Sequence, residues 1–477
     1  MGWLALAYVV ALWGISWVVG RGREATSLEA FYVARRRAHW LWVSYSMVGT
    51  ALSAITFLSV PGSVRSDGWT YLQVVLGYFI GYGVVAFVLL PLYYRHARAS
   101  VYEYFRYQIG SHGEKIAALF FLLSRSIGSS LRLFLALWVL QPFFPEVPFP
   151  LLSMGALVLI WLYTFRSGVA ALIYTDFFQT SVFLWAALLT ALHLSEHPLS
   201  LSDLPKIIEL SPQAAHFWLK DVLSGALIAL AMTGLDQDQM QKNLSLPSLR
   251  LAQRNLLVYG ALLFPVNGLF LWLGSLLWAY ADWCGLNPTP DTLYVQVAQR
   301  EGFLLETLFV LGVSAAALSS ADGSLTALTT AVLRNLLPSR YEHSRMKNLI
   351  LFAWTVVFWM LMLVYRMLPQ EKHILGLFLR FSGYTYGPLL GLFVFSRMVR
   401  RGEYPFVAWA LPLLSALSIV MEWGLGGFTG YVSIIWMGGA SAIGLWAINQ
   451  VSRWLRRGAA AKRVHRRKIA PDSLQSE

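Results

Sequence analysis

Charge is what this 477-residue sequence has least of. Asp, Glu, Lys and Arg make up 13% of it, against about 25% in ordinary soluble domains. Cysteine occurs once, at Cys284, which excludes an internal disulfide framework and any metal centre built from cysteines. The nine histidines fall near the ends of apolar segments, in loops or in the tail. No nucleophile–histidine–acid set can be assembled within the apolar segments, which argues against an intramembrane enzyme. The net charge of +13 invites a nucleic-acid reading. Its distribution argues against one, because the basic residues punctuate apolar runs and form no single patch.

What is abundant is apolar surface. Hydrophobic residues make up 57% of the chain, in runs long enough to cross a bilayer, so the expected class is an all-α polytopic membrane protein. Spans are expected near 3–20, 40–63, 70–94, 114–141, 148–165, 170–194, 217–235, 250–281, 303–333, 347–367, 375–397, 405–422 and 428–450, about thirteen in all. Span 1 lacks a basic leader and is followed by Arg21, Arg23, Arg35, Arg36 and Arg37, the flank of an uncleaved span with its N-terminus outside. With that orientation the inner loops and tail hold 28 of the 37 Lys and Arg, Lys242 among them, and the outer loops 6. The bias places the C-terminus in the cytoplasm. The basic tail after Ser452 reads as an anchor against anionic lipid.

Chemistry concentrates in a few places. Ser314–Thr330, SAAALSSADGSLTALTT, lies inside span 9 yet carries an acid and a run of hydroxyls. On a helix Ala316, Ser319, Ser320 and Gly323 share one face, and Ser319, Asp322, Thr326 and Thr329 form a second stripe. An ionised side chain at bilayer depth costs about 3 kcal/mol on insertion scales, so Asp322 should face protein, water or an ion. A small-residue packing seam would leave a similar pattern; an acid beside paired hydroxyls also suits a hard monovalent cation. Span 2 contains Gly49, Pro61 and Gly62, poor residues for an unbroken helix, with Ser53, Thr56 and Ser59 at membrane depth. Span 7 is interrupted at Gly225 and Gly234 and runs into DQDQMQKN. If spans 2–6 and 7–11 are inverted repeats, these are their corresponding first helices, and a midplane site is expected between them.

Other charges have several readings. Arg125 and Arg132 share one face of span 4. Arg125 could reach the cytoplasm along its own stem; Arg132 needs a partner, with Asp176, Asp322 and an anionic substrate as candidates. Asp176 could be a simple helix-start acid, a cation ligand or part of a gate. Asp236 and Asp238 read as a solvated or gating loop. Arg380 lies in span 11 beside Gly383, Gly387 and Pro388. Trp40, Trp42, Trp69, Trp278 and Trp283 fit an aromatic belt.

Together the motifs resemble the sodium:solute symporter family, which includes bacterial sodium/galactose, sodium/proline and sodium/sialic acid transporters. The pieces are SLEAFYVARR, SAITFLSVPG, LPLYYRHARASVYEYF, IYTDFFQ, DQDQMQKNLS, SAAALSSADGSL and GYTYGPLLGLF, in family order over nearly the whole chain. The resemblance implies a 5+5 inverted-repeat core of the leucine-transporter type: repeat one at about 40–194 and repeat two at about 217–397, within a core of 40–397. A first helix and loop (1–39), two extra helices (398–452) and the tail (453–477) flank it. The resemblance also implies a sodium site made by backbone carbonyls of Gly49, Leu52 and Ala316 and hydroxyls of Ser319 and Ser320. A second cation site would use Asp176, Ser319 and Asp322, with Asp322 and Gly323 standing where some members have serines. The acid of the proline transporters falls on Ala51, and the galactose transporters' polar pair falls on Ile55 and Thr56. The sialic acid transporters match better, through Ser53 and Thr56 and an arginine that registers with Arg125 or Arg132. The candidate solute-binding set is therefore Ser53, Thr56, Tyr71, Gln73, Arg125 and Arg132.

The expected function is sodium-coupled uptake of a small organic solute, with a carboxylate-bearing sugar or other organic anion favoured over neutral sugars and polyols. The expected partners are the solute, sodium and the lipid bilayer, with no nucleic acid and no obligatory protein partner. Proton coupling through Asp176 or Asp322 and a non-transporting membrane sensor of the same fold are the alternatives.

Overall fold

The computed structural model describes residues 2–21, 27–97, 99–166, 168–199, 205–367, 374–425 and 430–469. Arg23, Lys372, the side chain of Arg380 and the end of the tail lie outside the described residues. The described chain is helical: α1 (Gly2–Val19), α2 (Leu28–Val33), α3 (Trp40–Ala51), α4 (Ala54–Asp67), α5 (Tyr71–Val84), α6 (Leu90–His96), α7 (Glu103–Ile109), α8 (Ser111–Leu140), α9 (Phe149–Thr164), α10 (Val169–Ser195), α11 (Trp218–Met232), α12 (Gln237–Leu244), α13 (Leu249–Trp283), α14 (Leu293–Glu301), α15 (Phe303–Ala331), α16 (Ser344–Met367), α17 (Ile374–Met398), α18 (Val407–Gly424) and α19 (Gly430–Ile469). Among the described residues, eight helices are long and apolar enough to cross a membrane, and two bent pairs each make a further span.

Those pairs are spans 2 and 7, but the breaks fall beside Gly49 and Gly234 only: Pro61 and Gly62 lie inside α4, and Gly225 inside α11, where it packs against Val74 and Gly77 of α5. α3 and α4 meet at 65°, α11 and α12 at 72°. The first break falls at Leu52 and Ser53, both extended (φ −82° and −104°). Ser53 caps α4, and its N–H donates to Thr56 Oγ1 at 3.4 Å. Here a polar side chain satisfies a backbone group that an unbroken helix would bond internally. Asp236 caps α12 in the same way, accepting from Asp238 N at 2.8 Å and Gln239 N at 3.3 Å.

Packing relates two sets of five spans by exchange. The second helix of each set lies on the broken helix of the other: α5 on α11, and α13 on α3 and α4. The third helix of each set lies on the fifth of the other: α15 on α10, and α8 on α17. Third packs on third (α8 on α15) and fourth on fourth (α9 on α16). A two-fold swap of the sets maps this pattern onto itself, as an inverted repeat requires. α15 is the most enclosed span, buried all round from Ala315 to Ala331. Its small residues let α3, α8, α9 and α10 approach its backbone.

Candidate functional site

The break after α3 faces the polar stripe of α15, with α10 beside both. Gly49 sits in this contact: a Cβ there would overlap Thr180 Oγ1 and lie 3.3 Å from Ser319 Oγ. The absent side chain is thus a packing requirement, and it leaves the last turn of α3 against the hydroxyls of α15. Leu52, Ala316, Ser319 and Ser320 are all buried around this crossing. Ser320 Oγ donates to Ala317 O at 3.2 Å, and Ser319 Oγ to Asp176 Oδ1 at 2.8 Å.

Asp176, from α10, is fully buried and meets side chains of three other helices. Besides Ser319, it accepts from Ser46 Oγ at 3.3 Å and Thr50 Oγ1 at 3.4 Å, both on α3. Opposite them Lys242, from α12, places Nζ 2.5 Å from Asp176 Oδ2, and it also donates to Thr50 Oγ1. Lys242 is fully buried. Its place in the chain suggests an inner-loop charge; instead the bend between α11 and α12 carries it inside. Asp322 points elsewhere: its Oδ2 accepts from Tyr163 OH at 2.7 Å, on α9, and its Oδ1 from Gly323 N at 2.5 Å. Of the three residues expected to form a second cation site, Ser319 and Asp176 are in contact, and Asp322 faces α9.

The arginines separate. Arg125 does not reach solvent along its stem; it is 5% exposed. Its guanidinium bonds Asp238 Oδ2, approaches Asp236 Oδ2 at 3.3 Å and donates to Ser324 Oγ at 2.9 Å. Tyr386 OH also donates to Asp236. Asp236 and Asp238 are therefore not a solvated loop: both are fully buried. The guanidinium pairs with both carboxylates, as buried ions require, while Asp238 Oδ1 has no hydrogen-bond partner among the described residues.

Between the broken helices lies a cavity of about 180 Å³. Its lining includes Ser53, Thr56, Tyr71, Arg125 and Arg132 from the expected solute-binding set. Gln73 is not part of that lining. It bonds His216 O at 3.1 Å and Asp221 Oδ2 at 3.3 Å, and accepts from Glu209 N at 3.1 Å. Residues the sequence reading did not single out also line the cavity: Tyr78, Tyr82, Tyr259, Thr233, Gln239 and Asn267. Gln239 Oε1 and Asn267 Oδ1 are buried without a hydrogen-bond partner among the described residues. An acceptor in that state awaits a donor. Asn267 had a signal in the sequence, as a lone amide in the middle of an apolar span.

The profile of the sodium:solute symporter family matches residues 31–233. Over that stretch the chain is similar to the family. It is 22% identical to the sodium/sialic acid symporter SiaT of Proteus mirabilis, over 80% of this chain and 81% of that protein. It is 24% identical to the sodium/iodide cotransporter of Homo sapiens, over 88% and 68%. A solved structure of a Na+-coupled sialic acid symporter, substrate-bound and outward-open, superposes with a TM-score of 0.75 at 17% identity, covering 92% of this chain and 95% of that one. The leucine-transporter type of fold expected from the sequence stands on that likeness. These relatives are sodium-coupled transporters, not enzymes, and this chain, with its long apolar helices, is a multi-pass membrane protein.

Proposed function

We propose that this protein imports a small organic solute into the cytoplasm with sodium, with its N-terminus outside and its C-terminus inside a bacterial-type cytoplasmic membrane. The observation that carries the reading is the juxtaposition at Gly49. There the broken end of α3 abuts Ser319 of α15, next to a polar cavity. Sodium would be held by the carbonyls of Gly49, Leu52 and Ala316 and the hydroxyls of Ser319 and Ser320. These are hard oxygen ligands with little net charge, suited to a monovalent cation that must also leave. Sodium bridging α3 to α15 would favour the state in which the cavity is formed, and solute would raise sodium affinity by the factor that sodium raises solute affinity.

Asp176 would not bind a second sodium as a bare carboxylate. Lys242 already supplies a cation there, so one sodium, at the α3–α15 crossing, is the expected coupling ion. For the solute, Arg132 offers a positive charge on the cavity wall, and Gln239 and Asn267 offer unpartnered acceptors. A hydroxylated carboxylate meets both demands: its anion faces Arg132 and its hydroxyls donate to the amides. The relatives that carry sialic acid are consistent with this class.

Uptake by proteoliposomes across a panel of sugar acids, sugars and monocarboxylates tests the reading. The expected result is uptake of one hydroxylated anion driven by an inward sodium gradient and not by potassium. Uptake driven by a pH gradient in sodium-free buffer would replace it with proton coupling.

A further inference from the structure

Away from the cavity, at the end of the bundle that the charge bias places outside, three potential metal ligands converge. His193 lies in the last turn of α10, and His197 two residues past its end. Glu301 is the last residue of α14, just before Gly302, whose φ of +89° turns the chain into α15. His193 Nε2 is 2.9 Å from Glu301 Oε2, and His197 Nε2 is 3.5 Å from Glu301 Oε1. One ligand atom from each residue can be chosen so that all lie within 4.8 Å of one another.

A plain reading is a pair of histidine–glutamate contacts tying α10 to α14. Two features go beyond it. Both imidazoles direct Nε2 at one carboxylate, which is more than an ion pair needs but is the arrangement of a metal site made of two histidines and one carboxylate. The carboxylate is also oriented from behind, since Tyr280 OH donates to Glu301 Oε1; such outer partners fix metal ligands in position. The ring of His197 lies edge-on to Tyr280 at 5.2 Å and tilted against Trp283 at 5.3 Å, which restricts its swing. The three side chains are 30%, 24% and 14% exposed, accessible to an ion yet partly dry.

We propose that His193, His197 and Glu301 form a binding site for a divalent transition metal of the zinc class, which would clamp the end of α10 to the α14–α15 junction. Two imidazole nitrogens and one carboxylate oxygen, with a fourth position open to water, suit zinc or cobalt. Magnesium and calcium prefer all-oxygen sites. In a tetrahedral site with ligand bonds near 2.1 Å, ligand atoms stand roughly 3.4 Å apart, so small side-chain rotations complete the set. The site does not depend on the identity of the transported solute.

The test uses the purified, tag-free, chelator-stripped full chain and titrates cobalt(II), read by visible absorption and equilibrium dialysis. One cobalt per chain is expected, with the visible bands of a low-coordinate nitrogen/oxygen site, displaced by zinc and not by magnesium or calcium. His193→Gln with His197→Gln should abolish the bands, and Glu301→Gln should weaken binding by at least tenfold. Each variant is compared by thermal unfolding and gel filtration in the absence of metal. Cys284→Ser should bind as the parent does. Undiminished cobalt binding in the folded double-histidine variant, loss confined to Cys284→Ser, or no stoichiometric binding by the parent would overturn the proposal. Neither readout involves transport, so a failure here leaves the sodium-coupling account to its own tests.

Discussion

Lys242 Nζ and Asp176 Oδ2 are 2.5 Å apart, and neither side chain is exposed. The pair joins α12 of the second broken span to α10, and through Thr50 and Ser319 it touches α3 and α15 as well. A charge left alone in that position is costly, so the pair should behave as a unit. Lys242→Met is expected to destabilise the protein by about 3–5 kcal/mol. Adding Asp176→Asn to Lys242→Met should recover much of that loss, because the uncompensated carboxylate is gone. A double-mutant cycle by chemical or thermal unfolding in detergent measures this. Additive effects of the two substitutions would contradict it.

Sodium stoichiometry follows from the same contact. With the lysine in place, the sodium dependence of uptake should be hyperbolic, with a Hill coefficient near one. Direct charge counting by current against solute flux in proteoliposomes checks it. A sigmoidal dependence pointing to two sodium ions per cycle would mean that Asp176 binds a cation despite Lys242.

The two arginines of α8 should part company on substitution. Arg125→Gln leaves Asp236 and Asp238 buried without their guanidinium, and loss of stability of about 3 kcal/mol or more is expected. Arg132→Gln alters the cavity wall. It should raise the half-saturating solute concentration at least tenfold, with little change in sodium affinity. Uptake kinetics and unfolding on the same preparations separate the outcomes. A folded, fully active Arg125→Gln, or an Arg132→Gln with unchanged solute affinity, would each count against the assignment.

Gly49 gives a steric test. A methyl there collides with Thr180 and crowds Ser319. Gly49→Ala should therefore weaken sodium-dependent stabilisation, and Thr180→Ala should restore part of it by removing the hydroxyl in the way. No effect of Gly49→Ala on the sodium response would separate the α3–α15 crossing from cation binding.

Much of the architecture was legible because it is written locally. Apolar length marks the spans, Gly49, Ser53 and Gly234 mark the breaks while Pro61, Gly62 and Gly225 sit inside unbroken helices, and helical spacing puts Ala316, Ser319 and Ser320 on one face. What was not legible depends on which distant residues meet. Lys242, Asp236 and Asp238 look like loop charges in a polar string; only the 72° bend between α11 and α12 carries them under α8, α10 and α15. Gln73 and Tyr71 are near neighbours in sequence, yet one turns to His216 and Asp221 while the other lines the cavity. Gln239 and Asn267 lie on different helices, and nothing in either segment announces that both reach the same wall.

The most direct test of the central claim is binding of radioactive sodium to the purified protein, with and without Ser319→Ala/Ser320→Ala. The account predicts a single saturable site, insensitive to potassium, that disappears in the double variant while its unfolding profile stays close to the parent's. Equal sodium binding by the folded double variant, or none by the folded parent, would contradict it.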